Sequence, residues 1–407
     1  MPFAVYVLGL AVFAQGTSEF MLSGLVSSIA ADLGVSLAAA GLLTSAFAVG
    51  MVLGAPLMAL AGRTWPRRRA LLFFLAVFVA VHIAGALTPS YGVLLATRFV
   101  GALANAGFWA VALTAAVSMV PDRLKGRATA VVVGGVTIAC VVGVPAGAVL
   151  GERWGWRAAF WAVALISLPA FAAILRSLPG GVRGDGEAAP VRNELRVRNE
   201  LRVRNELRVR DELRVLTGPR LRPTLLTMAL VQGATFCAFS YLEPLLTRES
   251  GLSSAWVPAA LALFGAGAFL GVTVAGRYAD RRATALVAYG MVALALGWSA
   301  LALTAGRPVA ALVLIPLLGL LAFGTGTALI TRLLGQAAGA PTLAGASATA
   351  AFNLGAAVGP WAGGLALDAG LGHRSPVWVS AALMGLALVV AGARRAAVAV
   401  SGVRVTE

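Results

Sequence analysis

Twelve stretches of roughly 20 apolar residues recur along this chain, and at about 1.5 Å per residue each is long enough to cross the hydrocarbon core of a bilayer. That recurrence fixes the fold class before any motif is read. In lipid no water satisfies a backbone N–H or C=O, so segments of this length must be helices, whereas barrel strands are shorter and alternate in polarity. The runs lie at 3–26, 38–61, 70–88, 92–117, 128–150, 157–178, 224–247, 256–276, 284–304, 308–330, 343–367 and 377–396, each to within a few residues. The expectation is an all-α membrane protein of twelve transmembrane helices. No basic leader or small-residue cleavage site precedes Phe3, so the first run is expected to be an uncleaved span rather than a signal peptide.

Charge placement agrees with this reading. Only 12% of the 407 residues are charged, about half the share of a soluble domain. A net charge of +16 would suggest nucleic acid for a soluble protein, but here the arginines fall between the apolar runs, so nucleic acid is not the expected partner. One set of loops holds Arg63, Arg67, Arg68, Arg69, Arg123, Lys125, Arg127, Arg277, Arg281, Arg282, Arg332, Arg394 and Arg395, together with the arginines of a central linker. The alternate loops hold only Arg153, Arg157, Arg248, Arg307 and Arg374. Positive charge concentrates on the cytoplasmic side, which predicts a multi-pass protein of the cell membrane with both termini cytoplasmic.

The linker divides the spans six and six. Residues 1–178 are expected to form one six-helix bundle, 179–223 a cytoplasmic linker and 224–407 a second bundle. The linker contains "NELRVRNELRVRNELRVRDELRV", a six-residue tandem repeat from Asn193 to Val215. Its Glu-to-Arg pairs at i,i+4 suit a surface helix near anionic lipid, while its alternation of apolar and charged residues also fits an extended strand.

The two halves echo each other. "AQG" at Ala14 to Gly16 returns as "VQG" at Val231 to Gly233, and Gly143, Gly147 and Gly151 with Pro145 return as Gly355, Gly359 and Gly363 with Pro360. Two pseudo-symmetric six-helix bundles are the architecture of a secondary transporter. Glycine every four residues gives one helix face a smooth strip, which serves either ordinary close packing or a surface on which helices slide.

Charge inside the bilayer costs several kcal/mol per residue on insertion scales, so each example needs a reason. Glu19 lies sixteen residues after Phe3, about 24 Å along the first span. Arg98 lies in the fourth span, with Asn105 seven residues on and so on nearly the same face. Burial raises a carboxyl pKa and a nearby cation lowers it, so a carboxyl beside an arginine is suited to exchanging protons as water access alternates. The plainer alternatives are a hydrogen-bonded neutral carboxyl and an arginine that donates to backbone carbonyls. Glu243 and Asp368 fall near span ends and read as interfacial, Trp154, Trp156 and Trp161 as an interfacial aromatic belt, and His82 and His373 as isolated packing residues. Cys140 and Cys237 sit in apolar runs and offer neither a disulfide framework nor metal-ligand spacing, so no metal is expected. Lys125, the one lysine, is not in a phosphate-binding glycine loop. No nucleotide cofactor is therefore expected, and energy would come from an ion gradient.

At this point the motifs resemble those of the major facilitator superfamily, and within it the twelve-span drug:proton antiporters. "GRYADRR" from Gly276 resembles the family's loop motif and includes Asp280 and Arg281; its first-half copy has Arg63 where the acid is usual. "RFVGALANAG" from Arg98 resembles the fourth-span motif, and "GVPAGAVLG" from Gly143 through Pro145 and Gly147 the fifth-span motif of exporters. "GTSEFMLSGL", "ALANAGF" and "AAFNLGAAVGP" resemble stretches of chloramphenicol-resistance exporters. The resemblance implies proton-coupled efflux of an amphipathic drug by a monomer, with Glu19 exchanging the proton, Arg98 tuning it, and Asn105, Phe236, Tyr241 and Asn353 lining the substrate cavity. Export of a sugar or another drug stays open, as does a receptor without turnover. A membrane-embedded enzyme lacks its expected cluster of catalytic residues.

Overall fold

The computed structural model describes residues 1–61, 65–177, 221–337 and 341–403, excepting the side chains of 55–61, 177, 280, 341–343 and 394–403. The linker repeat, with its helical and extended alternatives, lies outside the described residues, as does Arg63.

Among the described residues twelve helices are long and apolar enough to span a bilayer. They are α1 (Phe3–Gly24), α2 (Leu37–Gly54), α3 (Arg67–Leu87), α4 (Tyr91–Ser118), α5 (Asp122–Trp154), α6 (Trp156–Arg176), α7 (Arg222–Ser240), α8 (Ser254–Ala279), α9 (Arg281–Thr304), α10 (Pro308–Gln336), α11 (Ala344–Asp368) and α12 (Ser375–Ala393). Even numbering puts the loops with Arg67, Arg123 and Arg281 at one end of the molecule and those with Asp32, Arg157 and Arg374 at the other. We refer to these as the arginine-rich and arginine-poor ends. Buried apolar side chains form two clusters. One draws on residues between Val5 and Ile174 and takes in Tyr241; the other draws on residues between Leu221 and Ala387 and takes in Phe20, Ala48, Val144 and Ala148.

The first span of each half is interrupted at the arginine-poor end. In α1 regular helix stops at Phe20, a 3₁₀ turn covers Met21–Gly24, and a separate helix, Val26–Leu33, follows. Span seven, expected to run to residue 247, ends instead at Ser240. Tyr241 leaves helical geometry, and Pro244, which has no N–H to extend the ladder, precedes a π turn at Leu245–Glu249. A third irregularity is the π turn Ala139–Gly143 in α5, placed directly before Pro145. Proline cannot donate to the carbonyl four residues back, and the wider turn accommodates the loss.

Glycine seams hold each half together in one register. Along α1 and α5, which run parallel, the close pairs are Gly9 with Gly135, Thr17 with Gly143, Met21 with Gly147 and Leu25 with Gly151. Along α7 and α11 they are Ala229 with Gly355, Gly233 with Gly359 and Cys237 with Gly363. Every pair is separated by 126 residues, as 135 is from 9 and 355 from 229. A Cβ at Gly135 would lie 2.5 Å from the Gly9 carbonyl oxygen, and main chain cannot be displaced as a side chain can. These glycines therefore serve as packing contacts in the state described, the first of the two roles the four-residue spacing allowed.

The arginine-poor loops of the first half are tied by Asp32. Its carboxylate accepts from Trp156 Nε1 at 3.1 Å and is ion-paired with Arg157, which also donates to the Thr88 carbonyl at 3.0 Å and stacks 4.4 Å over the Trp156 ring. Trp156 is only 2% exposed, so it is a structural anchor, whereas Trp154 at 68% fits the expected aromatic belt. The Arg157 bond, and then the Trp156 bond, hold the Asp32 carboxyl below its ordinary value of 3.8.

Gly134 and Gly135 provide a paired test, because a Cβ at Gly134 meets nothing within 4 Å. Gly135→Ala should lower the melting temperature of the purified protein, with overpacking costing about 1–3 kcal/mol, while Gly134→Ala leaves it unchanged or slightly raised. A second outcome concerns acid. A carboxyl with a depressed folded pKa contributes stability above its unfolded value and loses it as pH falls through the folded one. Asp32→Asn should thus be less stable than the parent at neutral pH, and the difference should start to shrink near the ordinary aspartate value of 3.8 and vanish only as pH falls through the lower folded value; pH-resolved thermal unfolding measures it.

Candidate functional site

Among the described residues Arg98 is the one charged residue in the set of large side chains that are essentially fully buried. An uncompensated guanidinium in a bundle core is expensive, so its partners define the site. Nη1 donates to Ser18 Oγ at 2.8 Å and Nη2 to the Ser18 carbonyl at 2.9 Å. That carbonyl is available because α1 leaves regular helix two residues later. Phe47 of α2 lies under the guanidinium at 4.4 Å, a cation–π contact. The structure thus contains the backbone-carbonyl contact that the plainer reading of Arg98 expected.

Ser18 makes a second connection. Its Oγ lies 2.6 Å from His82 Nε2, and His82 Nδ1 lies 2.7 Å from the Phe78 carbonyl oxygen. A carbonyl only accepts, so Nδ1 carries the ring proton and Nε2 is left with a lone pair. Ser18 Oγ accepts from Arg98 and donates to Nε2. These assignments come from the bonding pattern, and they overturn the expectation that His82 stands alone. Nothing in the pattern of one chain reveals this, because α3 and α1 meet only in the folded bundle.

Glu19 is half-buried, next to the residue that binds Arg98, yet it makes no hydrogen bond and no ion pair of its own. The guanidinium is close enough for its charge to act on the carboxylate. Asn105 is completely buried on the Arg98 face of α4, and neither end of its amide has a partner. Gln15, one turn before Glu19, is in the same condition. Unpaired buried amides cost about 1–3 kcal/mol each, and such residues belong to sites that are completed by water or ligand.

The expected substrate-lining residues separate into different places. Phe236 pairs with Phe20 across the two halves at 5.7 Å between ring centroids and joins Phe239, Phe264 and Phe323 around Thr235 and Cys140. The space these rings enclose is about 10 Å³, about enough for one water. Tyr241 is elsewhere: its hydroxyl donates to the Pro360 carbonyl at 2.8 Å and packs against Gly41 and Gly364, where α2, α7 and α11 meet at the arginine-poor end. Asn353 is half-buried, and its amide nitrogen donates to Thr349 one turn back in α11.

Among the described side chains, polar bonds between the halves also lie at the arginine-poor end. Glu243 accepts from the Ser27 backbone N–H at 3.3 Å, and Ser254 donates to Glu152 at 3.0 Å. Both carboxylates line a cavity of about 240 Å³ with Ser28 and Gly151. Burial raises the Glu243 carboxyl above its ordinary range, and the bonds from Ser27 draw it back. Deeper in, Gly265 of α8 rests on the Cys140 carbonyl of the α5 π turn. Of the loop-motif residues, Gly276 has open space around it and Arg281 is exposed, while the Asp280 side chain lies outside the described residues. Among the described residues no group of three or more His, Cys, Asp or Glu could hold a metal.

The proton placement at Ser18 can be checked directly. With His373→Gln leaving His82 as the sole histidine, ¹⁵N NMR at neutral pH should give the neutral ring with Nδ1 protonated. Ser18→Ala should move the Nε2 resonance and leave Nδ1 nearly where it was.

This geometry has company among known proteins. The chain is 50% identical over 394 residues to a chloramphenicol resistance protein of Streptomyces lividans, covering 96% of each. It is 33% identical over 388 residues to the inner membrane transport protein YdhP of Escherichia coli K12, covering 95% of each. In three dimensions it resembles a bacterial homolog of the human lysosomal transporter Spinster, solved inward-facing and unoccupied, with a TM-score of 0.70, 18% identity, and 95% of this chain and 94% of that one covered; at that identity the likeness concerns the fold. A family model described as Major Facilitator Superfamily matches residues 8–349. The chain is a multi-pass membrane protein that belongs to the major facilitator superfamily.

Proposed function

We propose that the protein exports chloramphenicol across the cytoplasmic membrane in exchange for protons, by rocking its two halves about the aromatic centre. The observation that carries the substrate is the 50% identity to the Streptomyces lividans chloramphenicol resistance protein over 96% of both chains. Chloramphenicol is uncharged and aromatic, and the ring-lined centre, closed to about one water's volume in the state described, suits it once the halves part. Both termini and the linker are cytoplasmic in this reading, supported by the arginine-rich end they share. The arginine-poor end, where Tyr241, Glu243 and Glu152 join the halves, is then external, and the state described is closed to the outside.

Geometry also favours Glu19 as the coupling group. Arg98 is engaged by Ser18 and Phe47 rather than by the carboxylate, so Glu19 can lose and regain a proton without breaking an ion pair. Asn105 and Gln15 supply unpaired amides nearby for water or for the drug's polar groups. No cofactor enters the cycle, no covalent chemistry is performed, and one copy of the chain suffices.

Accumulation of labelled chloramphenicol in cells tests this. Cells making the protein should hold less label than cells without it, and the difference should disappear with Glu19→Gln or with a protonophore. Equal label in both, with the protein verified in the membrane, would remove chloramphenicol and leave another small molecule as cargo.

A further inference from the structure

Ser18 stands between two groups that do not touch each other, and the direction of its hydroxyl is the informative detail. Arg98 Nη1 takes the oxygen lone pair and His82 Nε2 takes the hydrogen. His82 is itself locked: Nδ1 is bonded to Phe78 O one turn back, and the ring lies between Phe78, at 4.1 Å, and Phe160 of α6, at 5.8 Å. The charged group that acts on it is Arg98 on α4; Glu19 is faced by the same Arg98 and by the Cys140 thiol of the α5 π turn. The one free acceptor of His82 can serve only Ser18.

We propose that His82 is a positioning residue for proton exchange at Glu19: by fixing the Ser18 hydroxyl it keeps the Arg98 guanidinium docked on Ser18 and Phe47, out of ion-pair contact with the carboxylate. The inference rests on Glu19 as the coupling acid, but not on which substrate is carried. The competition is chemical. A carboxylate accepts from a guanidinium about twice as strongly as a neutral oxygen does, and Glu19 is adjacent to the residue Arg98 now uses. Arg98 Nε has no partner, so the guanidinium has a spare donor to turn toward it. What prevents the turn is the pair of bonds to Ser18, and the bond to His82 fixes the rotamer that holds the hydroxyl oxygen, with a lone pair free, where Arg98 Nη1 reaches it. Without that acceptor the side chain turns to donate to the carbonyl one turn back in α1, as serines in helices do, which carries the oxygen from the place Arg98 uses.

The test is an infrared titration of the full-length protein in lipid without drug, following the carboxylic acid band that Glu19→Gln removes. His82→Leu should move the midpoint of that band down by about one pH unit, a tenfold change in proton affinity, because the released guanidinium holds the carboxylate charged. His82→Gln places a carbonyl oxygen close to where Nε2 lies, and should restore the parental midpoint. Ser18→Ala, which keeps His82 and removes the hydroxyl, should move it in the same direction as His82→Leu and serves if that variant does not fold. An unmoved midpoint in His82→Leu or Ser18→Ala overturns the proposal, as does a His82→Gln protein displaced as far as His82→Leu. A parent with no titrating Glu19 band overturns both this role and Glu19 as the coupling acid. Failure to export chloramphenicol with the titration behaving as described removes only the drug.

Discussion

The structure is organised around one guanidinium that has no carboxylate to neutralise it. Arg98 sits buried in the core of the first half and is stabilised by one residue of α1 and one ring of α2. Neutral partners of this kind lower the cost of a buried cation without cancelling its charge. The field of that charge is therefore left over, and it falls on Glu19, the residue after Ser18. An acid kept near a cation but not bonded to it can change protonation state without rearranging the helices that hold it.

Such a centre needs helices whose spacing is fixed. The matching seams between α1 and α5 and between α7 and α11 give that: at the same 126-residue separation in both halves, glycine backbone lies against the backbone or side chain of the facing helix, main chain on main chain at Gly9–Gly135, Ala229–Gly355 and Gly233–Gly359. The helical ladder is broken elsewhere, at Met21–Gly24, at the Ala139–Gly143 π turn and after Ser240. All three border the junction between the halves.

Much of this was legible in the sequence, and what escaped it has common physical causes. Twelve apolar runs give twelve helices because lipid leaves the backbone no alternative, and Glu19 and Arg98 stood out because charge there is costly. Trp156 reads as interfacial because a tryptophan at a span end usually meets the interface, and only the fold brings Asp32 to its N–H. His82 gives no signal in sequence, where one histidine has no polar neighbours. The apolar run of span seven continues past its helix because Tyr241 to Leu246 are largely apolar, while the break depends on Pro244 and on contacts with α2 and α11. Phe236 and Tyr241 share one cavity in what the resemblance implies, yet one faces the centre and the other the seal.

The Phe20–Phe236 pair has a consequence for recognition. One ring comes from each half, so a movement that parts the halves at the centre separates these two rings. The rings meet at 42° rather than face to face, so parting them leaves an apolar wedge, and under the proposed transport an apolar guest of about one ring's thickness recovers there the contact that opening gave up. Selection of this kind weighs thickness and polarisability more than the placement of hydroxyls, and a filter built that way admits a class of molecules instead of one.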